Sequence, residues 1–205
     1  LSKPASPSEP PSPDGKQVLV GIGPGLGKGD TWRWDLERGT LSRLTFEDRS
    51  IDAFWLPDQR RIVVGVEAPD QMLVLTIDGS LPQRVVYESS TPFIISSITP
   101  DGQSVLLSQY GAADSDVFLV PLEGDGKART LIEERRQQMG AVVSPDGRWI
   151  AYRASEDGPS EVYVRHFQGG SGKWQVSQGG GAAPLWSPDG KELYFVNGVT
   201  MMSVS

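Results

Sequence analysis

Ser187-Pro188-Asp189-Gly190 decides how this chain folds, because it recurs. The same tetrapeptide stands at residues 12–15 and 144–147. A near copy is Thr99-Pro100-Asp101-Gly102, and a worn one is Leu56-Pro57-Asp58-Gln59. Each residue type suits one place in a type I β-turn. Ser or Thr accepts from a nearby backbone N–H, Pro presets φ, Asp bonds the backbone ahead of it, and Gly tolerates positive φ. Apolar runs flank each copy, as in Ala141-Val142-Val143 before and Trp149-Ile150-Ala151-Tyr152 after. Strand, tight turn, strand is one hairpin per copy. Pro13, Asp14, Gly15, Pro57, Asp58, Pro100, Asp101, Gly102, Pro145, Asp146, Gly147, Pro188, Asp189 and Gly190 are therefore read as structural turn residues. The five aspartates could instead form a catalytic or metal set, but turn chemistry surrounds every one. With Gln59 where the others have Gly, the second copy predicts the most strained turn or another turn type.

The prolines set the period. The steps from Pro13 to Pro57, Pro100, Pro145 and Pro188 are 44, 43, 45 and 43 residues. A steady period of this length in a β-rich chain points to a propeller. The fold class read from the sequence is all-β: a β-propeller of four-stranded antiparallel blades with about five repeats. The repeats lie near 12–51, 52–94, 95–138, 139–181 and 182–205. Residues 1–11, rich in Pro and Ser, read as a linker or tail. Second strands such as Ile62-Val63-Val64 and Val105-Leu106-Leu107 are apolar on consecutive residues, so both sheet faces are covered. Fourth strands are shorter and more polar, as suits an outer edge. Residues 22–29, Gly-rich, read as a loop. Residues 131–139 contain good helix formers, and the period leaves room there for one helical turn at most. The first repeat lacks its first strand and the last lacks its fourth. The chain thus reads as a fragment, an open ring, or a ring closed from outside, with self-association to complete it as one route.

The 205 residues carry a net charge of −7, with Lys and Arg scattered. That argues against a nucleic-acid surface. There is no cysteine, which excludes disulfides, thiolate metal sites and a Cys nucleophile. No apolar run is long enough for a membrane helix, so no membrane insertion is expected.

The turns and the strands around them resemble WD-like propeller repeats of the TolB type. The last two repeats are closest to propellers fused to bacterial serine/threonine kinases. The residues that carry this are SPDGRWIAY at 144–152, EVYVR at 161–165, GKWQVS at 172–177, PLWSPDG at 184–190 and MMSV at 201–204. The resemblance implies a six-bladed relative, a bacterial source, and a place outside the cytoplasm, periplasmic or at the cell surface. It says little of function, because such propellers host many roles.

No catalytic group and no cofactor is read from the sequence. The run GIGPGLGKG at 21–29 lacks the Ser or Thr, the glycine spacing and the helix of a phosphate loop. His166, the one histidine, has no triad partner at a recognisable spacing and reads as structural. The acidic stretches at 114–116 and 156–158 do not match a calcium loop, and no metal site is expected. The loops between second and third strands, and those between repeats, should share one face. The binding candidates on that face are Glu134, Arg135, Arg136, Tyr110 and Lys28. The leading functional reading is a non-enzymatic interaction or sensor module. It would bind a protein, peptide or small ligand at that loop face or in an axial channel. The alternative is a hydrolase or hydrolase-associated propeller.

Overall fold

The structure is a computed structural model. It describes residues 11–25, 28–111, 114–124, 127–134, 137–155, 158–170 and 172–205, with the side chain of Lys28 left aside. The described residues form eighteen strands and no helix. The strands of the first repeat are β1 (Gln17–Gly25), β2 (Lys28–Asp35) and β3 (Thr40–Arg43). The second has β4 (Ser50–Trp55), β5 (Arg61–Val66), β6 (Asp70–Thr76) and β7 (Arg84–Ser89). The third has β8 (Phe93–Ile98), β9 (Ser104–Tyr110), β10 (Ser115–Pro121) and β11 (Arg129–Ile132). The fourth has β12 (Gln137–Val143), β13 (Trp149–Ser155), β14 (Glu161–His166) and β15 (Lys173–Gln175). The fifth has β16 (Ala182–Trp186), β17 (Leu193–Asn197) and β18 (Thr200–Val204).

Each repeat is an antiparallel meander in chain order. Two repeats, the third and fourth, are joined by one parallel bridge, Ser115 to Gln137. In the first repeat, the place of the missing strand is marked by a single bridge from Pro11 to Val18. The chain divides into two compact units, residues 1–95 and 96–205.

Every one of the five turns closes with an N–H to C=O bond across it. These run Gly15 to Ser12, Gln59 to Leu56, Gly102 to Thr99, Gly147 to Ser144 and Gly190 to Ser187, at 2.8–3.0 Å. All four glycines have φ between 68° and 71°, and Gln59 follows them at 59°. The worn copy is thus the same turn, held at a backbone angle that L-residues avoid. In the other four, the leading hydroxyl donates to the turn Asp: Ser12 to Asp14 at 2.6 Å, Thr99 to Asp101 at 2.6 Å, Ser144 to Asp146 at 2.5 Å and Ser187 to Asp189 at 2.7 Å. The same hydroxyl accepts the N–H that opens the next strand, at 2.9–3.0 Å. These hydroxyls are buried, and their two bonds offset the cost. At the worn turn, buried Leu56 needs no partner at all.

The second strands behave as their sequences imply. Ile62, Val63, Val64, Val105, Leu106, Leu107, Ile150 and Ala151 are all fully or almost fully buried. One core in the first unit joins Leu19 of β1 to Trp55, Val64 and Leu73 of the next repeat. In the second unit, Leu106, Val117 and Ile132 pack with Ala141, Ile150 and Tyr152. A further cluster sets Ala151 and Val162 against Leu193 and Phe195. Neighbouring residues of β13 thus serve opposite faces, which is why the run is continuously apolar.

Residues 22–29 correct the expectation of a loop. Strands β1 and β2 run well into them, with Ile22 opposite Asp30 and Gly25 opposite Lys28. Glycine is what permits this: a Cβ on Gly29 would stand 2.7 Å from the Ile22 carbonyl oxygen. Around 131–139, strand rather than helix is seen at both ends, in β11 and β12.

A latch not foreseen from the sequence ties strand ends together. In the first repeat, Thr31 N–H donates to Thr45 Oγ1 at 2.9 Å, and Thr45 Oγ1 donates to Asp30 Oδ1 at 2.8 Å. Asp30 also accepts from the Glu47 and Asp48 N–H groups and pairs with Arg43. In the fourth repeat, Val162 N–H donates to Ser177 Oγ, Ser177 to Glu161, and Gly180 N–H to Glu161. An acid at or near the start of the third strand meets a hydroxyl just past the fourth.

Candidate functional site

Of the binding candidates, Glu134 is the one the structure builds into a network. It follows β11 in the connection to the fourth repeat, where its N–H donates to Gln138 Oε1 at 3.2 Å. Its carboxylate turns toward β13, β14 and β15. Lys173 Nζ donates to Oε2 at 2.5 Å, and the Tyr152 hydroxyl donates to Oε1 at 3.1 Å. Arg165 Nη1 stands 3.7 Å from Oε1. Lys173 also sits over the Tyr163 ring, 4.1 Å from its centroid, and 5.9 Å from that of Tyr152. Glu134, Arg165 and Lys173 are each only about a quarter exposed or less, so their attraction is screened less than at an open surface. Burial pushes the Tyr152 phenol well up, and the Glu134 charge beside it adds to that. The phenol therefore stays a donor at every physiological pH.

Arg165 also lines a cleft of about 120 Å³. One wall is the start and middle of β11, with Arg129 and Leu131. The other is the end of β14 and the turn after it, with Arg165, His166, Phe167, Gln168 and Gly169. Ile132 and Ile150 form the floor. The His166 ring stacks on Trp149 at 4.2 Å between centroids and meets the Trp174 edge at 5.7 Å. The residue read as structural thus has a packing role and also borders the cleft. The cleft opens beside the turn after the third strand. In a meander, that end is opposite the one where a ligand was expected.

Tyr110 ends β9, half-buried, opposite Ser115. Ser115 Oγ donates to the Gln138 carbonyl at 3.2 Å, so Tyr110 lies near the connection that carries Glu134. Lys28 opens β2 in the other compact unit. Arg135 and Arg136 lie outside the described residues, as do residues 156 and 157 of the second acidic stretch. Among the described residues no group of three or more His, Asp or Glu could hold a metal. Burial, with Glu133 and Asp114 nearby, raises the Asp116 carboxyl.

Arg129 and Arg165 were not singled out in the sequence, and His166 was read there only as structural. Each comes from a different place in its strand, and nothing in their spacing announces that they converge.

Comparison with known proteins identifies the architecture. A structure assigned as TolB from Agrobacterium tumefaciens superposes with a TM-score of 0.77 at 21% identity, covering 92% of this chain and 68% of that one. TolB from Acinetobacter baumannii gives 0.74 at 16%, covering 91% and 47%. The fold is that of a TolB-type β-propeller. At these identities the likeness is one of fold. Tricorn protease homolog 1 of Streptomyces coelicolor is 29% identical over 110 residues, which are 53% of this chain. The match spans about a tenth of that relative (10%). No protein-family model matches the chain.

Proposed function

We propose that this TolB-type propeller is a non-enzymatic binding module of a larger bacterial protein, taking a protein, peptide or small ligand. One observation carries the reading. A half-buried network around Glu134 holds Arg165 beside an open cleft whose lining includes no acid. A rigid frame with unspent hydrogen-bond donors is suited to recognition. Work outside the cytoplasm fits the TolB likeness. No helix among the described residues is long and apolar enough to cross a membrane. Completion of the array by self-association belongs to the same proposal.

The test is a peptide and small-ligand screen by calorimetry, with product analysis of every hit. Stoichiometric binding without turnover is expected. Turnover without stoichiometric binding would overturn the reading. The likeness to a tricorn protease homolog favours a second reading, a propeller that serves a hydrolase domain. Under it, the propeller would bind the peptides that a covalently joined hydrolase cleaves, and a longer chain would show peptidase activity.

A further inference from the structure

We infer that the cleft between β11 and the end of β14 binds a terminal carboxylate: the C-terminus of a peptide with a small aliphatic last residue. The inference rests on the binding-module reading and names the ligand chemistry for it.

Charge comes first. The chain carries −7 overall, yet Arg129 and Arg165 line this one cleft, and no acid is among its lining residues. Arg129 has no ion-pair or side-chain hydrogen-bond partner among the described residues. Arg165 has one neighbouring acid, Glu134, at 3.7 Å. That is too long for a hydrogen bond, so the Arg165 fork keeps its donors. Glu134 meanwhile is committed to Lys173 and Tyr152. It flanks Arg165 without taking its hydrogen-bond donors. A guanidinium is the group best shaped for two parallel bonds to a carboxylate.

Shape narrows the class. The cleft holds about 120 Å³, and a water occupies about 30 Å³ of liquid. Room for about four waters suits a carboxylate and a few carbons. Leu131, Ile150 and Phe167 give the cleft an apolar side, which an inorganic anion cannot use. A chain end fits such a space, whereas a mid-chain side chain would have to bring two flanking strands of peptide past the walls. Capture of a C-terminal carboxylate in this way is a general recognition mode.

The probes are N-acetylvaline, its uncharged N-methylamide, and inorganic phosphate. The readout is the heat of titration in a calorimeter. N-acetylvaline is expected to bind saturably, with the amide and phosphate each weaker by about tenfold or more. Arg129→Gln should weaken N-acetylvaline by about tenfold, and Arg129→Lys should restore part of the loss. Arg129 is exposed on a strand edge, so these variants keep the fold, and an unchanged indole spectrum without ligand verifies it. Equal affinity for acid and amide, equal or tighter phosphate binding, no effect of Arg129→Gln, or no saturable binding would each overturn the inference. If the ligand screen yields a binder that N-acetylvaline does not displace, the carboxylate assignment falls while the binding-module reading stands.

Discussion

Asp30 and Asp52 are both buried carboxylates of the first compact unit, and their fates differ. Asp30, the third residue of β2, collects donors: the Thr45 hydroxyl, two backbone N–H groups and Arg43. Burial alone would raise its pKa, but the bonds from Thr45 and Arg43 outweigh it and hold the group below the usual range. Asp52, near the start of β4, has one good donor, the Ile95 N–H at 2.8 Å on Oδ2. Oδ1 faces the backbone of Gly65 in the opposing strand, too poorly aligned to count as a hydrogen bond. Burial dominates there and pushes the carboxyl up to about 7. The lesson is that burial does not decide a carboxylate's charge; the number of well-aimed donors does. One is a latch that must be ionised. The other is a latch that works best with its proton on.

The sharpest way to break the comparison is to delete the saturated acid. Asp30→Ala strands two N–H groups and removes the buried partner of Arg43, and should cost about 2–4 kcal/mol in denaturant unfolding. A loss under ~0.5 kcal/mol would mean that water replaces the latch. Next comes pH. The folded state holds the Asp52 proton more tightly than the unfolded chain, whose carboxyl titrates near 3.8. This contribution is therefore full below the unfolded value and is lost as pH rises through about 7. The loss should be on the order of 4 kcal/mol, and Asp52→Asn should abolish that part of the pH slope. An unchanged slope in the variant would refute the assignment.

Gly65→Ala sharpens the geometry, because its Cβ would stand within contact of Asp52 Oδ1. It should destabilise by about 1–3 kcal/mol, and adding Asp52→Ala should recover much of that. The smallest effect is expected at the worn turn. Gln59→Gly relieves a positive φ but loosens the unfolded chain, so the net should lie between neutral and about 1 kcal/mol stabilising. A clear loss would count against the turn as drawn.

Much of the fold was legible in the sequence because its signals are local. Pro13, Pro57, Pro100, Pro145 and Pro188 count the repeats, and turn chemistry with apolar runs places all eighteen strands. Residues 22–29 misled because a Gly-rich stretch reads as loop, while here glycine lets two strands approach closely. The latches were legible in principle. Asp30 with Thr45 and Glu161 with Ser177 repeat an acid and a hydroxyl 15 or 16 residues apart. The site was legible only in Glu134. Arg129 and Arg165 come to one cleft from β11 and β14 of different repeats, and sequence spacing within a repeat does not record which residues meet across it.

The four hydroxyl-led turns carry a consequence for how such a chain can arise. Every bond that Ser144 makes with Asp146 and Trp149 is closed within six residues. A copied stretch of gene therefore brings its own instructions for reversing direction, whatever it lands beside. Ancestry by duplication asks for that kind of self-sufficiency. At Leu56 and Gln59 the bend is kept with neither the hydroxyl nor the glycine.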